Sequence, residues 1–221
     1  MKDYVIIVAA GSGSRMKAAI PKQFLELNGK PVLQYTLEKF HRFDPNLEII
    51  VVLNQEYVQF WKDLARTLNI EIPHRVVMGG VQRFHSVKNA LSSIEGPAGI
   101  IGIHDAVRPL VSLRTIESCY QHARTHCSAV PVITLNDSIR ILKDEGSEIA
   151  DRNRFRIVQT PQCFEYSVLK KAYEQHYDDS FTDDASVVEI SGNAIHLVEG
   201  NRENIKITTT EDLRMAEALL L

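Results

Sequence analysis

Only three cysteines, Cys119, Cys127 and Cys163, occur in 221 residues. The odd count and the absence of any C-x-x-C spacing exclude a disulfide framework and a cysteine-based zinc site, and fit a reducing compartment, so a cytoplasmic protein is expected. Positive charge is not in excess: 25 Lys and Arg against 28 Asp and Glu leave a formal net charge of −3. A nucleic acid duplex would find no basic face, and any cationic site must be local and concave. No apolar run is long enough to span a membrane, and Met1-Lys2-Asp3 opens on a strand too short for a signal peptide, so neither export nor membrane association is expected.

Several catalytic signatures are missing as well. No serine stands in G-x-S-x-G. His122 and His126 share a helical spacing, but no Glu follows His122 and no third ligand is identifiable, so zinc is not expected. Asp178-Asp179 and Asp183-Asp184 lack the intervening residue of the D-x-D metal site of sugar-nucleotide glycosyltransferases, which leaves glycosyl transfer the weaker enzymatic alternative.

What is present begins with one apolar strand, Tyr4 to Val8, emptying into Ala9-Ala10-Gly11-Ser12-Gly13-Ser14-Arg15-Met16, with Pro21-Lys22-Gln23-Phe24 shortly after. Small residues let backbone N–H groups crowd around an anion, and Arg15 and Lys22 stand where a polyphosphate needs cations. The dinucleotide fingerprint fails because Met16 holds its third glycine position, and the P-loop fails because Ser14-Arg15 follows Gly13. Pro21 argues for a loop that stays extended past Arg15. Strand, glycines and Arg15 alone leave an ordinary strand-to-helix turn equally open; Lys22 behind a proline favours phosphate.

Composition, 44% hydrophobic and 24% charged, suits one globular domain over 1–221 with a large core. Apolar runs alternate with helical periods, the pattern of an α/β, mostly parallel, doubly wound (Rossmann-like) sheet in a three-layer sandwich. Strands are expected at Val5 to Ala9, Ile49 to Leu53, Arg75 to Val77, Ile100 to His104, Ala129 to Ile133 and Ile195 to Val198. Helices are expected at about Val32 to Phe43, Tyr57 to Leu68, Ser86 to Ser93, Leu113 to Cys127, Ser167 to Tyr177 and Ala185 to Ile190. A last helix carries a capping box, Thr208 with Glu211, and an apolar stripe of Leu213, Ala216, Leu219 and Leu220. Ligands gather at the carboxyl ends of such strands, which converges three loops on one rim: the glycine loop, Gly79 to Ser86, and His104 to Pro109. The stretch at about 136–156 breaks the rhythm and reads as a protruding β-hairpin; a two-stranded hairpin needs something to lie against, and a second copy of the chain, giving a symmetric dimer, is the expected support.

The motifs Ala9 to Met16 with Pro21-Lys22-Gln23, Gly79-Gly80 with Arg83 and Ser86, His104 to Pro109, Thr160-Pro161-Gln162, Thr182 to Ser186, and Asn204 to Thr208, in this order over nearly the whole chain, resemble those of the 2-C-methyl-D-erythritol 4-phosphate cytidylyltransferases. The resemblance implies transfer of CMP from CTP to the acceptor phosphate with release of pyrophosphate, in isoprenoid precursor synthesis. It implies that Arg15 and Lys22 neutralise the α-phosphate, while the Ala9, Ala10, Gly11, Ser12 and Gly13 backbone and a Mg²⁺ ion, with ligands unassigned, hold the triphosphate. Ala9, Gly80 and Ser86 would meet the cytosine and Ala106 the ribose, and Arg83 would also bind CTP. Asp105, Arg108, Thr160 and Thr182 would face the acceptor. Lys206, from the chain's last strand, with Arg152 and Thr134, which border the arm and reach a partner's site, would clamp its phosphate, so a homodimer is implied.

Without the resemblance, plainer readings hold: Asp105 and Arg108 as a salt bridge bracing a turn, Thr182 as a helix N-cap, Lys206 as an edge-strand charge, Arg152 as a solvated arm residue. The chain departs from the family at His85, where an acidic residue is common, and at Val107, where alanine is frequent and which the ribitol 5-phosphate cytidylyltransferases share. Transfer to ribitol 5-phosphate, or a non-catalytic nucleotide-binding protein, are the alternatives.

Overall fold

The computed structural model describes residues 1–11 and 20–220. The expected extended course past Arg15, with Ser12 and Gly13, lies outside the described residues.

In chain order, β1 (Lys2–Ala9) is followed, after a 3-10 turn at Lys22–Phe24, by the small pair β2 (Glu26–Leu27) and β3 (Lys30–Pro31) and by α1 (Val32–Phe43). Next come β4 (Glu48–Leu53), α2 (Gln55–Thr67), β5 (Arg75–Met78), α3 (Arg83–Ser92), β6 (Ala98–Asp105), α4 (Leu113–His126) and β7 (Ser128–Thr134). The hairpin β8 (Arg140–Leu142) and β9 (Ser147–Ile149) precedes β10 (Arg156–Val158), β11 (Gln162–Glu165), α5 (Tyr166–Ala172), α6 (Asp184–Ile190), β12 (Leu197–Glu199) and α7 (Thr210–Leu219).

Among the described residues an eight-stranded sheet runs β10-β7-β11-β6-β1-β4-β5, with β12 along the other side of β7. Strand β1 pairs in parallel with β4 and β6, and β4 with β5. The period of two that marks a strand sorts β1 onto both faces. Val5, Ile7 and Ala9 join Ile49, Val51 and Leu53 against α1, α2 and α4, whereas Tyr4 and Ile6 join Ile50, Val52, Ile101 and Ile103 against α3, α5 and α6. These are the three layers, and apolar side chains on both faces explain why the central strands read as unbroken apolar runs.

The sheet is mostly, not wholly, parallel. Strand β11 lies antiparallel between β6 and β7, and its four residues, with polar Gln162 and Glu165 at the ends, carry no run by which a strand would be read. β10 continues it along the same edge of β7. The break between them falls opposite Pro131, which has no N–H to offer there but accepts from Gln159 N at 2.8 Å. Helix α3 begins at Arg83 rather than Ser86, and α5 ends at Ala172, short of the expected Tyr177.

The hairpin forms as expected and turns through Gly146, whose φ of +79° lies in the left-handed region. Its Leu142 and Ile149 are 84% and 82% exposed. Helix α7 is capped one residue later than expected, by Thr209 with Asp212, because the Asp212 carboxylate also takes the Thr208 N–H and hydroxyl at 2.8 and 2.7 Å. Its buried contact is Ala216, while Leu219 of the expected stripe is exposed.

Gln162 ties β11 to the start of α6: its Nε2 donates to Asp183 Oδ2 and its Oε1 accepts from Ala185 N, each at 2.8 Å, in a side chain 1% exposed. Replacing Gln162 by the similarly sized Met removes the partner of Asp183 Oδ2 and of the Ala185 N–H. A loss of about 2 kcal/mol in urea denaturation is expected.

Candidate active site

Ala9 ends β1 at a cleft of about 560 Å³ whose walls are the three strand-end loops. Its carbonyl accepts from Gln23 Nε2 at 2.7 Å, so the turn carrying Lys22 is fastened to the end of the strand. Phe24, 3% exposed, anchors the turn's other side against Phe60 and Trp61, at ring distances of 5.1 and 5.9 Å. Lys22 lines the cleft between these two fixings.

The second loop needs its glycines for close approach. A Cβ on Gly79 would lie 2.6 Å from Ala10 Cβ, and one on Gly80 would lie 2.3 Å from His85 Cβ. Ser86, buried, accepts the Gly80 N–H at 3.0 Å and donates to Gln82 O at 3.1 Å, so its hydroxyl shapes the loop that lines the cleft. His85 therefore bears on the cleft through its backbone and Cβ, which set the space for Gly80. From the third loop, Ala106 is bound edge to edge with β1, its N–H donating to Val8 O at 3.1 Å.

Asp105 gathers the charge. Its carboxylate lies 3.0 Å from Lys206 Nζ, 3.3 Å from Arg108 Nε and 3.7 Å from Arg83 Nε. Burial alone would raise its pKa, but Arg83, Lys206 and Arg108 together outweigh burial and hold it well below the usual carboxylate range. Arg108 also donates to Asn204 O at 2.7 Å, which draws the 204–208 segment to the rim. Lys206 sits beyond β12 in an irregular segment rather than on the last strand; Ile207, fully buried, docks that segment by donating to Val107 O at 2.9 Å.

Arg83 lines the cleft, yet its fork is bidentate to Asp184, with Nη1 to Oδ1 at 2.8 Å and Nη2 to Oδ2 at 2.6 Å, and Asp184 also accepts from the Tyr173 hydroxyl at 2.6 Å. Burial works against the Arg83 charge, but Asp184 and then Asp105 more than restore it, so its pKa is raised. Burial and the Asp184 charge raise that of Tyr173.

Thr160, expected against the acceptor, lies under Asp105 instead. Its Oγ1 accepts the Asp105 N–H at 3.0 Å and lies 3.0 Å from His104 Nδ1. His104 is fully buried, and burial pushes its pKa from 6.5 down to about 4, so the ring is neutral. Nε2 faces the Arg108 carbonyl at 3.1 Å and must donate, so Nδ1 accepts from the Thr160 hydroxyl. With both hydroxyl functions engaged, Thr160 braces Asp105.

The structure does not bring the remaining expected residues into this cleft. Thr182 is exposed, and the cap of α6 is Asp183, which corrects the reading of Thr182 as that helix's N-cap. Thr134 accepts from Arg202 Nη2 at 3.1 Å, and Arg152 donates to Asn136 O, both at the arm's base. Polar cleft-lining residues absent from the expected site are Gln23, Asn54, Gln82 and Thr208. Asn54 follows β4 directly and caps α2, so the strand-end rule could have found it; the role of Asp184 gave no local signal. Among the described residues, no group of three His, Cys, Asp or Glu could hold a metal ion, and no helix is long and apolar enough to cross a membrane.

A cation-lined cleft at the carboxyl ends of a doubly wound sheet, with loops packed too tightly for side chains, defines a nucleotide-handling α/β protein. The chain belongs to the 2-C-methyl-D-erythritol 4-phosphate cytidylyltransferase (IspD) family, whose model matches residues 4–221, and is thus a nucleotidyltransferase. It is 51% identical, over 220 residues and 100% of both chains, to the 2-C-methyl-D-erythritol 4-phosphate cytidylyltransferase of Bacteroides thetaiotaomicron. Its fold is similar to the 4-diphosphocytidyl-2C-methyl-D-erythritol synthase of Anaerococcus prevotii, with a TM-score of 0.85, 28% identity and 99% and 96% of the two chains covered. The corresponding cytidylyltransferase of Francisella tularensis gives 0.81 and 32%, with 99% of each chain covered.

Two outcomes follow from this geometry. Gly80→Ala meets His85 backbone as well as its Cβ, and should lose about 1–3 kcal/mol of stability and weaken nucleotide binding in calorimetry. Because folded His104 takes its proton near pH 4 rather than 6.5, the unfolded chain binds more protons between these values, and stability should fall as pH drops through that window. Urea denaturation of His104→Gln, which keeps a donor toward Arg108 O, should show a shallower fall there.

Proposed function

We propose that this cleft transfers CMP from CTP to the phosphate of 2-C-methyl-D-erythritol 4-phosphate, giving 4-diphosphocytidyl-2-C-methyl-D-erythritol and pyrophosphate. The observation that carries the reading is Asp105, kept ionised among Arg83, Arg108 and Lys206 in a cleft that Lys22 also lines. A carboxylate so held can accept from polyol hydroxyls while the cations face phosphate.

The acceptor phosphate is already an oxyanion, so no strong base is required. One of its oxygens bonds to the α-phosphorus of CTP as the bond from that phosphorus to the bridging oxygen of the β-phosphate breaks, and pyrophosphate leaves with the electron pair. The obstacle is repulsion between anions, and positive charge must relieve it. Lys22, and Arg15 from outside the described residues, are assigned to the α-phosphate as it gains its fifth oxygen. The backbone of Ala9 to Gly13 is assigned to the triphosphate, Gly80 and the loop shaped by Ser86 to the cytosine, and Ala106 to the ribose. Asp105, Arg108 and Lys206 are assigned to the acceptor. A Mg²⁺ ion would arrive with the nucleotide and neutralise part of the triphosphate charge; Asp105, already engaged by Arg83, Arg108 and Lys206, is not assigned to it.

The arm supports a homodimer. A hairpin exposing Leu142 and Ile149 is marginal unless covered, and a second copy would bring Arg152 and Thr134 toward the acceptor phosphate. A cytoplasmic location agrees with the free cysteines.

Incubation with CTP, Mg²⁺ and the methylerythritol phosphate should release pyrophosphate; release with ribitol 5-phosphate alone would transfer the assignment to that acceptor. Arg15→Ala or Lys22→Ala should lower kcat roughly a hundredfold, about 3 kcal/mol of barrier, with little change in CTP binding. Arg152→Ala should chiefly raise the acceptor KM. Mixing it with Lys22→Ala subunits should restore part of the activity if the arm works across the dimer, and no recovery would point to a site built from one chain.

A further inference from the structure

Asp184 occupies the first turn of α6 with no exposed surface, and it does not line the cleft. Its two oxygens hold both ends of the Arg83 fork, at 2.8 and 2.6 Å, so that only the Nε edge, 3.7 Å away, is turned to Asp105. An unrestrained guanidinium pairs with a carboxylate through two parallel N–H groups. The guanidinium has two such edges, Nη1 with Nη2 and Nε with Nη2; Asp184 takes the first and holds the second 3.7 Å from Asp105, beyond hydrogen-bond distance. Asp105 is left with Oδ2 facing Lys206 at 3.0 Å and Arg108 at 3.3 Å.

The support for this outcome extends behind Asp184. Tyr173 donates its hydroxyl to Oδ1 at 2.6 Å. Gln162 pins the residues on either side, Asp183 and Ala185, at 2.8 Å each. A buried ion pair adds little net stability compared with apolar residues of the same volume, so its distinctive consequence is geometric: it decides where the Arg83 guanidinium points.

We propose that Asp184 is a positioning residue for the acceptor half of the site, holding Arg83 away from a bidentate pair with Asp105 so that Asp105 stays available to Lys206 and to acceptor hydroxyls. This rests on the assignment of Asp105 and Lys206 to the acceptor.

Asp184→Asn keeps the shape and removes the charge. With CTP and acceptor varied separately, the acceptor KM should rise about tenfold while the CTP KM stays within about twofold. A crystal structure of the variant should show Arg83 paired with Asp105 through two nitrogens. Tyr173→Phe, which preserves the ring's packing, should move the acceptor KM in the same direction by about two- to threefold. A fall in kcat with both KM values unchanged, in step with lost thermal stability, would overturn the proposal by making Asp184 a folding residue only; so would an equal rise in both KM values. If the unaltered protein releases no pyrophosphate with this acceptor, the catalytic reading fails separately. The variant crystal structure then decides alone: Arg83 unmoved overturns the proposal, and Arg83 turned onto Asp105 upholds the lock.

Discussion

Asp105 at the end of β6 is the charge around which the site is assembled. A carboxyl buried by itself would hold its proton, because a low-dielectric surrounding disfavours the anion. Here Arg83, Arg108 and Lys206, contributed by a helix start, a turn and a segment near the carboxyl terminus, outweigh that penalty and keep it charged. The converse holds for the cations, which would repel one another at this spacing without the carboxylate between them. The result is a local concentration of positive charge in a chain whose formal net charge is −3, which is what a cleft for two phosphorylated substrates requires.

The parts around Asp105 are arranged in depth. Its N–H is held by Thr160, whose hydroxyl is oriented by the neutral ring of His104. Arg83 is held by Asp184, and the α6 start carrying Asp184 is held by Gln162 on β11. Two motifs that look like substrate contacts, Thr160-Pro161-Gln162 and Thr182 to Ser186, thus serve largely to support the residues that line the cleft. On the opposite wall, Gln23 and Phe24 do the same for Lys22, one through the Ala9 carbonyl and the other through the aromatic cluster on α2. The preorganisation of charge that phosphoryl transfer depends on is built here from buried neutral groups as much as from ions.

Much of the architecture was legible because its causes are local. The strands β1, β4 and β6 are apolar on both faces, and α1, α2 and α4 have clear amphipathic periods, so their order alone implies a doubly wound sheet with its loops converging on one rim. β11 was not legible, since a four-residue strand with polar ends has no pattern to distinguish it, and it is held by its neighbours β6 and β7 instead. The cap of α7 shifted by one residue because one carboxylate, Asp212, could serve two adjacent threonines. The hydrogen bonds of Thr160 to Asp105 and His104 were not legible either, since a sequence does not say which way a hydroxyl between two polar neighbours will turn.

By itself the sequence determined the glycine-spaced loops, the presence of Lys22, Asp105, Arg108 and Lys206, and the attachment of Asp105 and Arg108 to the end of an apolar strand; those follow from residue chemistry and from periods of a few residues. The tertiary structure decided which charges meet. Arg83 belongs to Asp184 before it belongs to Asp105, and Lys206 reaches Asp105 from a segment outside any strand. These partners lie far apart along the chain, and only the packing of the sheet and its helices fixes the ångström-scale distances on which the choice between two carboxylates depends.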